Sequence, residues 1–154
     1  MVKEDHPGVA FHPPFLVIGL LIAGWTMSEA IPVPLLPEVA RRPLGYALAA
    51  ASFGLFSWAV TVLLRAGTNV PTHLPSLALV RHGPYRFTRN PIYLSMAIGY
   101  AALAVLLNSA WFLFVDVLFV GLISAGVIVR EERYLTRKFG AEYEAYRRDV
   151  RRWL

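Results

Sequence analysis

Four long stretches without a lysine or arginine constrain this chain more than any other feature: Pro14 to Ser28, Leu44 to Leu64, Ile92 to Leu107 and Ala110 to Val129. A single acid, Asp116, interrupts them. Runs of this kind are stable as helices in lipid, where backbone groups must be satisfied internally and a span takes about 20 residues. The first and third are short, and at about 1.5 Å per residue they cross a core of roughly 30 Å only if flanking residues join them. The third and fourth are separated only by Asn108 and Ser109, which predicts a tight antiparallel helical hairpin. The fold class expected is therefore all-α: a polytopic integral membrane bundle of about four transmembrane helices. Composition agrees, with 56% hydrophobic and 16% charged residues against the quarter usual in soluble domains. In 154 residues, four spans leave room for one domain, residues 1–154.

Orientation follows from the basic residues. If the N-terminus is cytoplasmic, thirteen of the fifteen Lys and Arg fall inside, and only Arg41 and Arg42 fall outside. The loop from Arg65 to Asn90 and the tail beyond Val129 then share the cytoplasmic side. Lys3, Glu4 and Asp5 precede the first run without a small-residue cleavage site, so that run is expected to be retained. Between the first two spans, Ile31-Pro32-Val33-Pro34-Leu35-Leu36-Pro37 cannot be regular helix, because prolines remove donors and restrict their predecessors. Small residues at four-residue spacing, Gly45/Ala49, Ala50/Gly54, Ala97/Ala101 and Gly121/Ala125, predict close helix approach.

Other chemistries are set aside. There is no cysteine, which excludes disulfides, thiolate metal sites and cysteine nucleophiles. His6, His12 and His73 have no metal-ligand spacing, so no metal is expected. The net charge of +5 reads as cytoplasmic loops that meet anionic headgroups, and no nucleic-acid partner is expected. Trp25, Trp58, Trp111 and Trp153 suit interfacial or bundle positions.

Two segments could carry chemistry. The first, Arg81-His82-Gly83-Pro84-Tyr85-Arg86-Phe87-Thr88-Arg89-Asn90-Pro91-Ile92-Tyr93, runs into the third span. Gly83-Pro84 makes a turn, Asn90 can cap the helix and Pro91 suits its first position. Three arginines and free N–H groups at a helix N-terminus favour an anion, whether a ligand or a lipid headgroup. The second is Arg130-Glu131-Glu132-Arg133 and the tail after it, where Leu135, Phe139, Tyr143, Tyr146 and Val150 form one face of a predicted amphipathic helix. That helix lies on the membrane or folds back as a lid. The paired glutamates, taken alone, read as a solvated salt-bridge cluster rather than a binding site for a cation or hydroxyls.

Together the two segments, separated by a helical hairpin, resemble the isoprenylcysteine carboxyl methyltransferase family and its phospholipid methyltransferase-like relatives. The matching residues are Gly83-Pro84-Tyr85-Arg86, Arg89-Asn90-Pro91-Ile92-Tyr93, Glu131-Glu132, Phe139-Gly140, Tyr143 and Tyr146, within Leu79 to Trp153. The resemblance implies a multi-pass membrane enzyme using S-adenosylmethionine, held at the cytoplasmic face by residues 79–153, with a lipidic or small-molecule methyl acceptor. It implies cofactor contacts from His82, Gly83, Pro84, Tyr85, Asn90, Tyr93, Glu131 and Glu132. Arg89 and Glu131 are the candidate catalytic residues. Many relatives carry His where this chain has Asn90, which can cap and donate but cannot titrate near neutrality.

Methyl transfer is an in-line displacement that needs alignment and exclusion of water. A carboxylate acceptor, the first choice, needs no base; an amine of a phospholipid would need Glu131 or Glu132 to take its proton. Asp116, an ionisable group within a span, and Tyr146 are the candidate acceptor-binding residues. A non-catalytic scaffold binding anionic lipid or a partner is the alternative from another class, and a transporter lacks the paired broken helices it would need. Oligomeric state is left open by the sequence.

Overall fold

The computed structural model describes residues 6–71 and 74–154; the N-terminal charges Lys3, Glu4 and Asp5, and His73, lie outside them. Among the described residues the regular structure is entirely helical. The long helices are α1 (Pro13–Ala30), α2 (Glu38–Arg65), α3 (Pro91–Leu106) and α4 (Ala110–Ile123), with α5 (Val129–Phe139) and α6 (Ala141–Asp149) after them. Three helices are long and apolar enough to cross a membrane: α1, α2 and the continuous Ala110–Phe139 rod. α3 is apolar but shorter.

Helix packing explains why the chain needs lipid. α1 packs on α4, α4 on α3 and α3 on α2. Phe15, Ile18 and Ile22 of α1, Phe53 of α2, and Phe114 and Val117 of α4 remain exposed. An apolar surface this large has no aqueous solution, and hydrocarbon is its natural solvent. The inner faces close a core around Tyr100, Phe112, Val115, Phe119, Ile123 and Val127, where the Tyr100 hydroxyl donates to the Val17 carbonyl at 2.9 Å. Trp153, from the far end of the chain, packs against this core.

The boundaries depart from expectation in two places. α2 begins at Glu38, six residues before the apolar run, and continues through Pro43. Glu38 sits at its positive end and pairs with Arg41 at 3.6 Å and Arg42 at 3.3 Å, so the charged first turn is helical. Beyond Ile123 the helix widens into a π turn, Ser124–Ile128, before α5. Such a turn releases carbonyls from the ladder. The Gly126 carbonyl accepts the Ala10 N–H at 3.0 Å, which docks the segment preceding α1 against the rod.

The proline connector 31–37 is irregular, as expected, but it is tied down. Asn108, at φ 51° in the α3–α4 turn, accepts the N–H groups of Leu35 and Leu36 at 2.8 Å each. Ala110 donates to Val33 at 2.9 Å, and the Trp111 indole donates to Ile31 at 2.7 Å. Of the small-residue pairs, Gly45 makes the close approach, against Leu106 and Val105, while Gly54 and Gly121 face open space. Gly24 against Phe112 and Gly99 against Ser52 supply close contacts that the spacing does not single out.

The tail is two helices where one was expected. Gly140 takes φ 53°, a left-handed conformation that stops α5 and turns α6 back. Tyr143 and Tyr146 are thereby buried over the loop that precedes α3.

Candidate active site

The loop before α3 owes its shape to Gly83. Its φ is 62°, and a Cβ there would lie 2.9 Å from Val62 Cγ2 and 3.3 Å from the Trp58 indole nitrogen. Only glycine takes that turn so close to α2 without displacing it. Pro84 follows within a tight 3-10 turn, Gly83–Arg86, which points Tyr85 inward and Arg86 outward over the Phe87 ring at 5.2 Å.

From there the loop is sewn to the end of the chain. Thr88, buried, donates through Oγ1 to the Arg152 carbonyl at 3.0 Å and accepts the Asn90 N–H at 3.2 Å. Asn90 Nδ2 donates to the same carbonyl at 2.9 Å, and the Arg89 N–H donates to Arg151 at 3.0 Å. Asn90 therefore occupies the N-cap position of α3 without a side-chain cap bond. Its amide holds the tail instead. The Tyr146 hydroxyl donates to the Tyr85 carbonyl at 2.6 Å, and Arg81 meets Glu142 at 3.5 Å.

The two adjacent glutamates are in different situations. Glu132 is buried and takes Arg152 in a fork, Nε at 2.9 Å and Nη2 at 2.7 Å, with Arg89 Nη1 at 3.1 Å on the same carboxylate. This is the bidentate geometry that makes guanidinium pairs strong, and Glu132 raises the Arg152 pKa further. Glu131 accepts the Tyr93 hydroxyl at 2.9 Å and has no ion pair among the described residues. The three arginines do not converge as the sequence suggested: Arg81 is spent on Glu142, Arg86 faces out, and Arg89 alone turns inward, where Nη1 also reaches the Tyr143 hydroxyl at 3.4 Å.

These groups face a cavity of about 940 Å³. Its polar lining is Tyr85, Arg89, Asn90, Tyr93, Glu131 and Glu132, together with Tyr143 and Tyr146. Its apolar lining comes from Phe15 of α1, Phe56 and Leu63 of α2, Ile92 and Met96 of α3, and the loop that follows α2. Two buried donors within the site have no partner, the Tyr85 hydroxyl and Arg89 Nε. Buried polar groups in proteins are normally satisfied, so unpaired donors in a cavity point to a ligand. Burial raises the Tyr85 and Tyr146 pKa values, which keeps both phenols as neutral donors.

Residues 40–142 match the phospholipid methyltransferase family model. The chain belongs to that family. The match takes in most of α2, which the sequence resemblance, Leu79 to Trp153, had left out. An uncharacterized protein of Haemophilus influenzae is 38% identical over 63 residues, 41% of this chain and the whole of that protein. No solved structure matches the chain.

Within this phospholipid methyltransferase family member, the geometry sorts the expected site residues. Tyr85, Arg89, Asn90, Tyr93, Glu131, Glu132 and Tyr146 share the cavity. His82, Gly83 and Pro84 do not line it; His82 is exposed, and the other two shape the turn behind Tyr85. Asp116, halfway along α4, does not line it either. One of its carboxylate oxygens is buried without a hydrogen-bond partner.

Sequence reasoning missed other wall residues. His12 and Phe15 close one side, and residues of the loop between Thr68 and Val80 cover another. Buried Thr68 organises that loop by accepting the Leu77 N–H at 2.8 Å, Asn69 donates to Pro75 at 2.9 Å, and the Ser76 N–H reaches the Tyr134 hydroxyl at 3.0 Å. No motif marks such residues. Among the described residues no group of three His, Cys, Asp or Glu is placed to hold a metal.

Proposed function

We propose that this chain is an S-adenosylmethionine-dependent membrane methyltransferase whose cofactor and lipidic acceptor meet in the cavity beneath the Tyr85–Asn90 loop. The observation that carries this reading is one cavity lined both by charged and polar groups, Arg89, Glu131 and the Tyr85 hydroxyl among them, and by exposed apolar side chains, Phe15 and Phe56. The polar lining fits an amino-acid-bearing nucleoside. Arg89 Nε and the Tyr85 hydroxyl are unpaired donors suited to its carboxylate, and Glu131 is an acceptor for its ammonium or ribose hydroxyls. When bound, S-adenosylmethionine supplies an electrophilic methyl group on a sulfonium.

The protein's own part is positioning and dryness. Tyr93 holds the Glu131 carboxylate, and Tyr143 with Glu132 aims the Arg89 guanidinium. α6 and the tail close the polar lining off from water. Glu132 and Tyr146 act by holding these parts together, since both are already engaged within the protein. In this reading α3 completes a fourth span although its helix covers only about 24 Å at 1.5 Å per residue. The positive-inside bias puts the cavity's polar lining on the cytoplasmic side.

The acceptor of the first reading is a carboxylate on a lipidic or small molecule, which attacks without a base. The family match and Glu131, which holds the Tyr93 hydroxyl but no ion pair among the described residues, favour a second: a phospholipid amine whose proton Glu131 takes as nitrogen attacks. Calorimetric titration of S-adenosylmethionine into detergent-purified protein tests the cofactor site. Saturable binding is expected, weakened about tenfold or more in Glu131→Gln or Tyr85→Phe, the weight of one hydrogen bond to a charged group. Absence of binding by folded protein rejects the methyltransferase reading in favour of the scaffold. Labelled-methyl transfer to extracted lipids separates the acceptors: a base-labile ester marks a carboxylate, and an alkali-stable cationic product marks an amine.

A further inference from the structure

A second concavity, of about 440 Å³, lies on the other side of Glu132 from the cavity just described. It is walled by Val129, Glu132, Thr136 and the four arginines 133, 137, 147 and 152. Arg133 and Arg137 are four residues apart on α5 and so lie on one face of it. Arg147 comes across from α6, and Arg152 from the tail. The single carboxylate in the wall, Glu132, is neutralised by its fork with Arg152 and its pair with Arg89. Arg147 has only a half-exposed partner, Glu144, at 3.7 Å. Neither Arg133 nor Arg137 has a carboxylate partner among the described residues, and both are exposed. Three guanidinium groups thus face one groove; Glu144 borders it, paired with Arg147 and accepting the Thr136 hydroxyl at 3.4 Å, so three arginines stand against one carboxylate that is not already neutralised.

We infer that this α5–α6 groove binds a phosphate-class anion, a site separate from the methyl-transfer cavity. Guanidinium forks match phosphate oxygens in geometry as well as charge. The groove begins at Val129, where the apolar rod ends, and reaches Thr136, about 10 Å further at 1.5 Å per residue. That is the depth of lipid headgroups, so an anionic phospholipid and a soluble phosphate are both sources of the same chemistry. Because Arg152 bridges the groove and Glu132, an anion in the groove sits one side chain away from the latch that closes the main cavity.

The test uses full-length protein in neutral detergent and measures calorimetric binding of short-chain phosphatidic acid and, separately, of inorganic phosphate. Wild-type protein is compared with Arg133→Ala/Arg137→Ala and with Arg133→Lys/Arg137→Lys. Both positions are exposed and unpaired, and matched melting temperatures confirm that each variant is folded. Phosphatidic acid is expected to bind about thirtyfold more weakly to the alanine variant, the equivalent of about 1 kcal/mol for each arginine. The lysine variant keeps the charge but not the fork, so it is expected to bind between wild type and the alanine variant; affinity no better than the alanine variant's or equal to wild type's counts against the guanidinium geometry. Binding of the lipid far tighter than of inorganic phosphate identifies a headgroup site; equal binding of both identifies a soluble-anion site. Binding of neither, or equal binding by wild type and the alanine variant, overturns the inference.

Discussion

At the scale of single residues, neighbouring identical side chains have opposite tasks. Glu131 faces the cavity with only Tyr93 on it, whereas Glu132 is enclosed by Arg89 and Arg152. Glu131→Gln is expected to lower methyl transfer strongly while leaving the melting temperature nearly unchanged. Glu132→Ala leaves two guanidinium groups without their carboxylate, and removing one partner of a buried pair costs on the order of 3 kcal/mol. Thermal unfolding of the two variants checks the contrast, and an equal loss of stability in both rejects it. Tyr85, Tyr143 and Tyr146 make a second residue-scale prediction, because burial raises all three phenol pKa values. Their folded-state values lie above the ordinary value of about 10, so the unfolded chain loses these protons first. The stability they contribute is complete below that pH and is lost as pH rises through the folded-state values. Alkaline unfolding should therefore set in above about pH 10, and Tyr146→Phe should shallow its slope. An unchanged slope would show that Tyr146 does not contribute.

Among the elements, the connectors decide more than the helices do. Asn108 accepts two backbone N–H groups from the proline connector while holding a left-handed φ. Asn108→Ala loses both hydrogen bonds and meets the left-handed penalty, together about 2–3 kcal/mol. Asn108→Gly relieves the backbone but not the lost bonds, so it should fall between wild type and alanine in chemical denaturation. If alanine were neutral, the α1–α2 connector would be held by Ala110 and Trp111 alone. The π turn acts in the same way: the Gly126 carbonyl within it accepts the Ala10 N–H and so anchors the segment leading into α1, which carries the wall residue His12.

For the whole molecule, the two ends of the chain close one site. The last residues bring the Arg152 carbonyl to Thr88 and Asn90, its guanidinium to Glu132, and the Trp153 ring to the core. Removing residues 150–154 is expected to abolish binding of S-adenosylmethionine and lower the melting temperature, although no apolar span is touched. Retained cofactor affinity in the truncated protein would show that the tail is dispensable for the polar lining of the cavity.

The sequence by itself determined the apolar character and helical class, and three of its four apolar runs lie in helices long enough to cross a membrane, because backbone groups in lipid must be satisfied internally. It also singled out Tyr85, Arg89, Tyr93 and Glu131, which line the cavity, because they lie in local motifs on either side of a hairpin, but the same motifs nominated His82, Gly83 and Pro84, which do not. Only the tertiary structure decided their tasks. Nothing local separates Glu131 from Glu132, or Arg89 from Arg86; the difference arises where Arg152, twenty residues on, folds back and claims one carboxylate. Likewise the periodicity of the tail could not reveal that Gly140 breaks it, or that Asp116 would lie away from the cavity. Burial, pairing and direction depend on contacts between segments distant in sequence, and those exist only once the helices have packed.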